Sequence, residues 1–333
     1  MAEERKMVVG THNGSFHCDE AMACAILFMA VPDLTQDGKV DVVHTRDPAV
    51  LSKCAFVVDV GGVYDFESGR FDHHQPTFNE KFHDASPTPM SSAGLVYKHY
   101  GMLAIKSIVA DISSSDLPLL FRRVYDTLIE SVDANDNGIP QFEGEPAARY
   151  KVMTALPARV RMENTPWSLP QDDKTRDLAF KCAVKMCWEE FRAHVADALF
   201  NWLPATKAVG EAYANRLSVH PSGQVIELPS SGIPWASLLA DAEKKDQPPV
   251  LLVLYPSDTE GFSIKTTSVP GTWVARKLLP TPWRGLNGAV LDVVLDIPGG
   301  GAIFCHKAGF VASHKTREGA LAMADKALKW TEK

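Results

Sequence analysis

The stretch MVVGTHNGSFHCDEAMACAILFM (residues 7–29) passes from an apolar run, through a polar loop, into a long apolar segment. Residues 7–11 read as a buried strand, and Asp19–Met29 carries a helical pattern. The piece is therefore a βα unit with a crowded exit. Ten positions, 11–20, hold two histidines, a thiol and two carboxylates. Loops after strands are often polar, so this loop alone decides nothing. In parallel sheets, however, chemistry gathers at the carboxyl ends of strands.

Working outward, further strands are predicted at 40–44 (VDVVH) and 55–60 (AFVVDV), and helices at Ser91–Tyr100 and Leu119–Ser131. Such alternation predicts a mainly parallel sheet flanked by helices. Residues 134–171 are turn-rich around a helical stretch near Ala147–Arg159. Residues 174–202 then read as one amphipathic helix, with Leu178, Cys182, Met186, Trp188, Phe191, Val195, Leu199 and Trp202 near one stripe. A second αβ region holds strands at 250–255 and 261–269, a turning segment at 297–316 and a final helix, Arg317–Lys329. The expectation is an α/β protein of two domains: 1–172, a long connecting helix over 173–204, and a smaller αβ domain over 205–333.

Composition narrows the function classes. At 333 residues the chain suggests two cores rather than one. Its six cysteines (18, 24, 54, 182, 187, 305) are scattered without a CxxC, so neither a disulfide framework nor a zinc ribbon is indicated. Reduced thiols, an N-terminus with no secretory or mitochondrial pattern, and no membrane-length apolar run lead to an expected cytoplasmic or nuclear location. A net charge of −7 argues against a generic nucleic-acid coat, but leaves room for an enzyme whose metals handle phosphates locally.

The ligand-type residues recur in two short stretches. His12 and His17 stand in the first loop, and His73 and His74 in FDHHQ (71–75). Asp59 ends the strand of VVDVGG, where a bare buried carboxylate would be prohibitive without a partner or cation. Asp72 and Asp133 (in SVDANDNG) are similarly placed beside strand or helix ends. An extended backbone at His17-Cys18-Asp19 puts the histidine and aspartate on one side and the cysteine on the other. Three histidines and three aspartates suffice for two divalent ions sharing a carboxylate, and mixed imidazole and carboxylate donors suit Mn²⁺, with Mg²⁺ a second option. His44, His83, His99, His194 and His220 are assigned to no site.

The order H12-x4-H17-x-D19, D59, D72-H73-H74, D133 resembles the DHH phosphoesterase superfamily of nucleases, pAp-phosphatases and family II pyrophosphatases. GTHNGSFHCDEA, DHHQ, SSAGLVYKHYG, VDANDNG, PWRGL and HKTREGAL are similar to the Myg-type (melanocyte-proliferating-gene-one) family, across nearly the whole chain. That resemblance implies a metal-dependent 3′–5′ exonuclease on RNA. It implies that His12, His17 and Asp59 hold one metal, and that Asp19, Asp59, His73 and Asp133 hold the other. A water between the two ions would be the nucleophile, His74 would face the substrate phosphate, and Asp72 would orient a histidine. The chain departs from the superfamily in its first motif: four residues, not three, follow His12, and the next ligand is His17 rather than aspartate.

In the second half, GGGAIFCHKAGF (299–310) resembles the glycine-rich substrate motif of DHH-associated C-terminal domains. Gly299, Gly300 and Gly301 would let backbone N–H groups approach phosphate. His306, Lys307, His314, Lys315 and Arg317 are candidate partners, as is Arg284 in PWRGL. Two substrates compete, single-stranded RNA and a small one such as pAp, a short oligonucleotide or pyrophosphate. A non-catalytic metal-binding regulator is the third reading.

Overall fold

The computed structural model describes residues 6–38, 41–142, 144 and 150–331. The chain divides into two compact units, Met1–Leu199 and Phe200–Lys333.

The first unit is built on a five-stranded sheet. Its strands are β1 (Lys6–Thr11), β2 (Val42–His44), β3 (Cys54–Val58), β4 (Tyr64–Asp65) and β5 (Arg70–Phe71). Their order is β2-β1-β3-β5-β4, with β2, β1, β3 and β5 parallel and β4 antiparallel at the edge. Helices α1 (Cys18–Ala30) and α2 (Pro48–Leu51) lie within the strand series. They are followed by α3 (Ser92–Ile108), α4 (Asp116–Val124), α5 (Glu130–Asp136), α6 (Leu156–Glu163) and α7 (Asp173–Asp197). From Cys18 to Leu27 every residue of α1 is buried. A helix apolar on all sides belongs in a core, and α1 packs against both α3 and α7. Burying it fixes the loop that feeds it.

The single helix expected over Leu119–Ser131 is α4 and α5 joined by a π-helical turn, Tyr125–Ile129. Of the helix expected near Ala147–Arg159, residues 145–149 lie outside the described residues. Residues 150–155 are irregular, and α6 begins only at Leu156. Pro157 is the reason: a proline fits the first helical turn, where no N–H partner is needed, but not a helix interior. The pattern read over 174–202 ends as an α-helix at Asp197, and residues 198–202 form a π-helical turn. The boundary between the two units falls in that turn.

In the second unit come α8 (Leu203–Ala214), α9 (Arg216–Val219), β6 (Val225–Glu227), α10 (Ala236–Ala242), β7 (Leu252–Pro256) and β8 (Phe262–Thr266). Then follow α11 (Gly288–Leu295), β9 (Ala302–Cys305), β10 (Val311–His314) and α12 (Arg317–Lys329). The sheet order is β6-β7-β8-β10-β9, parallel only between β6 and β7. A mainly parallel architecture thus describes the first unit, and both sheets are mixed. One core lies under α11 and α12, with Leu252, Ile264, Leu291 and Met323; another lies under α8 and α10, with Val209, Ile226, Leu239 and Val253. No helix among the described residues is long and apolar enough to cross a membrane.

Candidate metal centre

The loops leaving β1 and β3 meet the DHH segment after β5. Asp59, one residue beyond β3, has φ 56°, in the left-handed region that only aspartate and asparagine among non-glycine residues enter readily. Strained conformations of this kind persist where the surroundings enforce them, and they cluster at functional sites. The turn carries the carboxylate to the sheet's carboxyl end. There Asp59 Oδ2 lies 3.3 Å from His12 Nε2, and Oδ1 lies 3.5 Å from both His73 Nε2 and His74 Nδ1.

Three groups of donors gather here, each with its atoms within 4.8 Å of one another: His12, His17, Glu20 and Asp59; Asp59, His73 and His74; His17, Asp19 and Asp136. Asp59 belongs to the first two and His17 to the first and third. The structure therefore brings together His12, His17, Asp19, Asp59 and His73. Asp72 lies beside them: its Oδ1 sits 2.7 Å from His74 Nδ1 and accepts from the His74 backbone N–H at 3.1 Å, and its Oδ2 accepts from the Gly62 N–H. The histidine so held is 62 % exposed at its side chain and lines the cleft over the centre, which has a volume of about 590 Å³.

Asp133 is a correction. It is fully buried on α5, and its Oδ1 accepts from the Ser91 N–H (3.0 Å), the Ser91 hydroxyl (2.8 Å) and the Gly94 N–H (2.9 Å). Its Oδ2 accepts from the Tyr125 hydroxyl at 3.2 Å. The carboxylate thus binds the otherwise unpaired N–H groups at the start of α3. Gly94 is required there: a Cβ on it would sit 2.3 Å from Asp133 Oδ2. Burial pushes Asp133 up to about 7, against the pull of these donors. The carboxylate that reaches the centre is Asp136, one helical turn later, with Oδ2 3.0 Å from His73 Nε2.

Glu20 was also not foreseen. It is the third residue of α1, where its Oε1 accepts from the His17 N–H at 2.8 Å and lies 3.1 Å from His12 Nε2. A glutamate three residues after a helix start is a capping signal, and that signal was present in H17-C-D-E20.

The electrostatics fit a cation. Both oxygens of Asp19 and Glu20 Oε2 are buried with no hydrogen-bond partner among the described residues, and Asp59 Oδ1 faces only the imidazoles of His73 and His74 at 3.5 Å. Burial, then the charges of Asp59, Glu20 and Asp136, push Asp19 well above the usual carboxylate range. Asp59 first and Glu20 second, each close to its Nε2, raise His12 to about 10. Burial opposes protonation of His73, but Asp136 and Asp59 outweigh it and raise it to about 10 as well. Burial likewise works against the charge on Asp59, yet His12 and His73 hold its carboxyl far below the ordinary value. Protons on two imidazoles take the place that positive ions would fill. His12 Nδ1 lies 3.1 Å from the Asn13 carbonyl and donates to it, so Nε2 is the nitrogen that meets the carboxylates as N–H and would face a cation once that proton has left.

The C-terminal candidates all lie in the second unit. The His314 ring is buried between Gly301 and Gly319, whose Cβ positions would fall 3.0 Å and 2.0 Å from its Cε1. Its Nδ1 accepts from the Thr316 N–H, and its Nε2 is buried with no partner among the described residues. Gly300 packs on Asp292, and Lys315 is exposed, 4.0 Å from Glu260. Lys307 is exposed, while His306 packs on Phe310 and accepts from the Ala308 N–H. Arg284 Nε donates to the Leu279 carbonyl, and Arg317 is paired with Glu227.

A family model described as uncharacterised protein family UPF0160, MYG1_exonuc, matches residues 8–328. The human protein named MYG1 exonuclease is 41% identical over 326 residues, which cover 95% of this chain and 84% of the relative. The MYG1 protein of Caenorhabditis elegans is 37% identical, covering 96% and 95%, and that of Saccharomyces cerevisiae 35%, covering 96% and 94%. No solved structure matches. With the match running from β1 through nearly all of α12, the chain belongs to the MYG1 family.

Proposed function

We propose that this chain is a metal-dependent phosphodiester hydrolase of the DHH phosphoesterase type, acting as a 3′–5′ exonuclease on single-stranded RNA. The observation that carries the reading is the set of buried carboxylate oxygens, both of Asp19 and Oε2 of Glu20, with no donor among the described residues, beside left-handed Asp59. The relatives named MYG1 exonuclease support a nuclease. His12, His17, Glu20 and Asp59 would hold one Mn²⁺ or Mg²⁺ ion, and Asp19, Asp136, Asp59 and His73 a second. Divalent ions there would acidify a water and neutralise phosphate charge. The chain's own contribution is to fix the donors around Asp59, where a cation would displace the protons on His12 and His73. Asp72 ties up Nδ1 of His74, so Nε2 on the far side of the ring serves as donor to a non-bridging phosphate oxygen.

A smaller substrate at the same centre, such as pAp, a short oligonucleotide or pyrophosphate, is the second reading. It is favoured by the cleft's modest volume of about 590 Å³, a size usual for small-molecule sites. The test is 5′-end-labelled single-stranded RNA incubated with Mn²⁺ and either the wild type or Asp59→Asn. Asparagine keeps the left-handed backbone while removing the charge. A descending ladder from the wild type alone is expected. Intact RNA with turnover of pAp would select the smaller substrate, and equal activity of Asp59→Asn would sink the centre.

A further inference from the structure

We propose that Arg46 is the substrate-phosphate clamp of the metal-centre cleft, binding two non-bridging oxygens of the phosphate with its guanidinium; this rests on the hydrolase reading above. Every other candidate phosphate ligand outside the centre lies in the second unit. Within the first unit, Arg46 lines the cleft together with His12, His17, Asp59 and His74, and it is the one lysine or arginine to do so among the described residues.

Its backbone is held at the centre. β2 pairs with β1 at His44 and Thr11, and His44 Nδ1 lies 3.3 Å from the His12 carbonyl. The Thr45 N–H donates to the Thr11 carbonyl at 2.8 Å, and the Asp47 N–H donates to the Thr45 hydroxyl at 3.0 Å. Asp47 then caps α2 by accepting from the Ala49 N–H at 2.9 Å. Arg46 is thus fixed between two anchored residues, at the carboxyl end of a parallel strand and beside the His12 loop. That is where substrates bind in such sheets.

Its side chain is uncommitted. Asp59, Asp72 and Asp136 line the same cleft, yet Arg46 makes no hydrogen bond or ion pair among the described residues. A cation placed only to neutralise the acidic cleft would sit on one of those carboxylates. They are turned instead toward His12, His73 and His74. Asp47, its neighbour in sequence, is occupied by the helix cap. An exposed guanidinium beside the reaction site, with its planar donors free, matches a phosphate's paired oxygens.

The test uses Arg46→Ala and Arg46→Lys in the full chain loaded with Mn²⁺. Three quantities are measured: bound Mn²⁺, the affinity for inorganic phosphate by calorimetry, and KM and kcat on single-stranded RNA. Loss of one bidentate charge-assisted contact should weaken phosphate binding by about 10- to 100-fold and raise KM comparably, with kcat less affected. Bound Mn²⁺ should be unchanged, and lysine should restore part of the affinity. Phosphate affinity and KM within about twofold of wild type would overturn the proposal. So would loss of Mn²⁺ from Arg46→Ala, which would make the residue a support of the centre. If the wild type leaves RNA intact, the exonuclease reading fails, and the phosphate titration alone still decides Arg46.

Discussion

Asp133 and Asp136 lie one turn apart on α5, and the structure gives them opposite work. Asp133→Ala removes the acceptor of four donors: the Ser91 and Gly94 N–H groups and the Ser91 and Tyr125 hydroxyls. The hydroxyls can rotate to other acceptors, but the two backbone N–H groups cannot. Leaving a buried donor unpaired costs about 1–3 kcal/mol each, so a loss of about 2–6 kcal/mol is expected. That is a large part of ordinary domain stability, and corresponds to a fall in Tm of roughly 4–24 °C. Asp136→Ala removes an attraction to His73 together with a repulsion against Asp19. Attraction and repulsion oppose each other, so the metal-free Asp136→Ala protein should lose less stability than Asp133→Ala does. Its Mn²⁺ affinity should instead fall at least about tenfold. Urea unfolding of both variants without metal, followed by Mn²⁺ titration of the folded fraction, separates the two effects. Unchanged stability with lost Mn²⁺ in Asp133→Ala, and intact Mn²⁺ binding in Asp136→Ala, would reverse the assignment.

Two predictions follow from the imidazoles. His12 and His73 sit at about 10 in the fold against an ordinary 6.5. The native state therefore holds more protons than the unfolded chain between those values, and unfolding free energy falls as pH rises across them. Metal-free protein should thus lose Tm between pH 7 and 10.5, and Mn²⁺-loaded protein should lose less; parallel curves would show that the imidazoles carry no such protons. At pH 8, Mn²⁺ binding should release at least about two protons, one from each of these histidines. Calorimetry in two buffers of different ionisation enthalpy reads that number, and release near zero would mean the histidines are already neutral.

The centre was legible in sequence wherever local pattern and chemistry agree. β1 and β3 are short apolar runs with abrupt polar exits, so Thr11–Glu20 and Asp59 could be placed at strand ends from periodicity alone. His17 and Asp19 could be put on one side of the loop for the same reason. The left-handed φ of Asp59 had no such signal, since the two glycines after it already explain a turn. The strands β9 and β10, only four residues each, were hidden in a segment whose glycines read as turns, and the antiparallel second sheet was hidden with them.

The misplaced aspartate marks the deeper limit. VDANDNG offers two carboxylates three residues apart on one helix. A carboxylate closing the start of α3 and a carboxylate reaching a metal need the same residue type. Both satisfy a buried negative group with positive partners, N–H dipoles in one case and a cation or imidazolium in the other. What separates them is whether donors already surround the oxygens. Asp133 has four donors on its two oxygens, whereas Asp19 has none on either among the described residues. That difference depends on how α3, α5 and α1 pack, which no local spacing encodes. A ligand can therefore be nominated from sequence by type and position, but it is identified by which oxygens the folded chain leaves unspent.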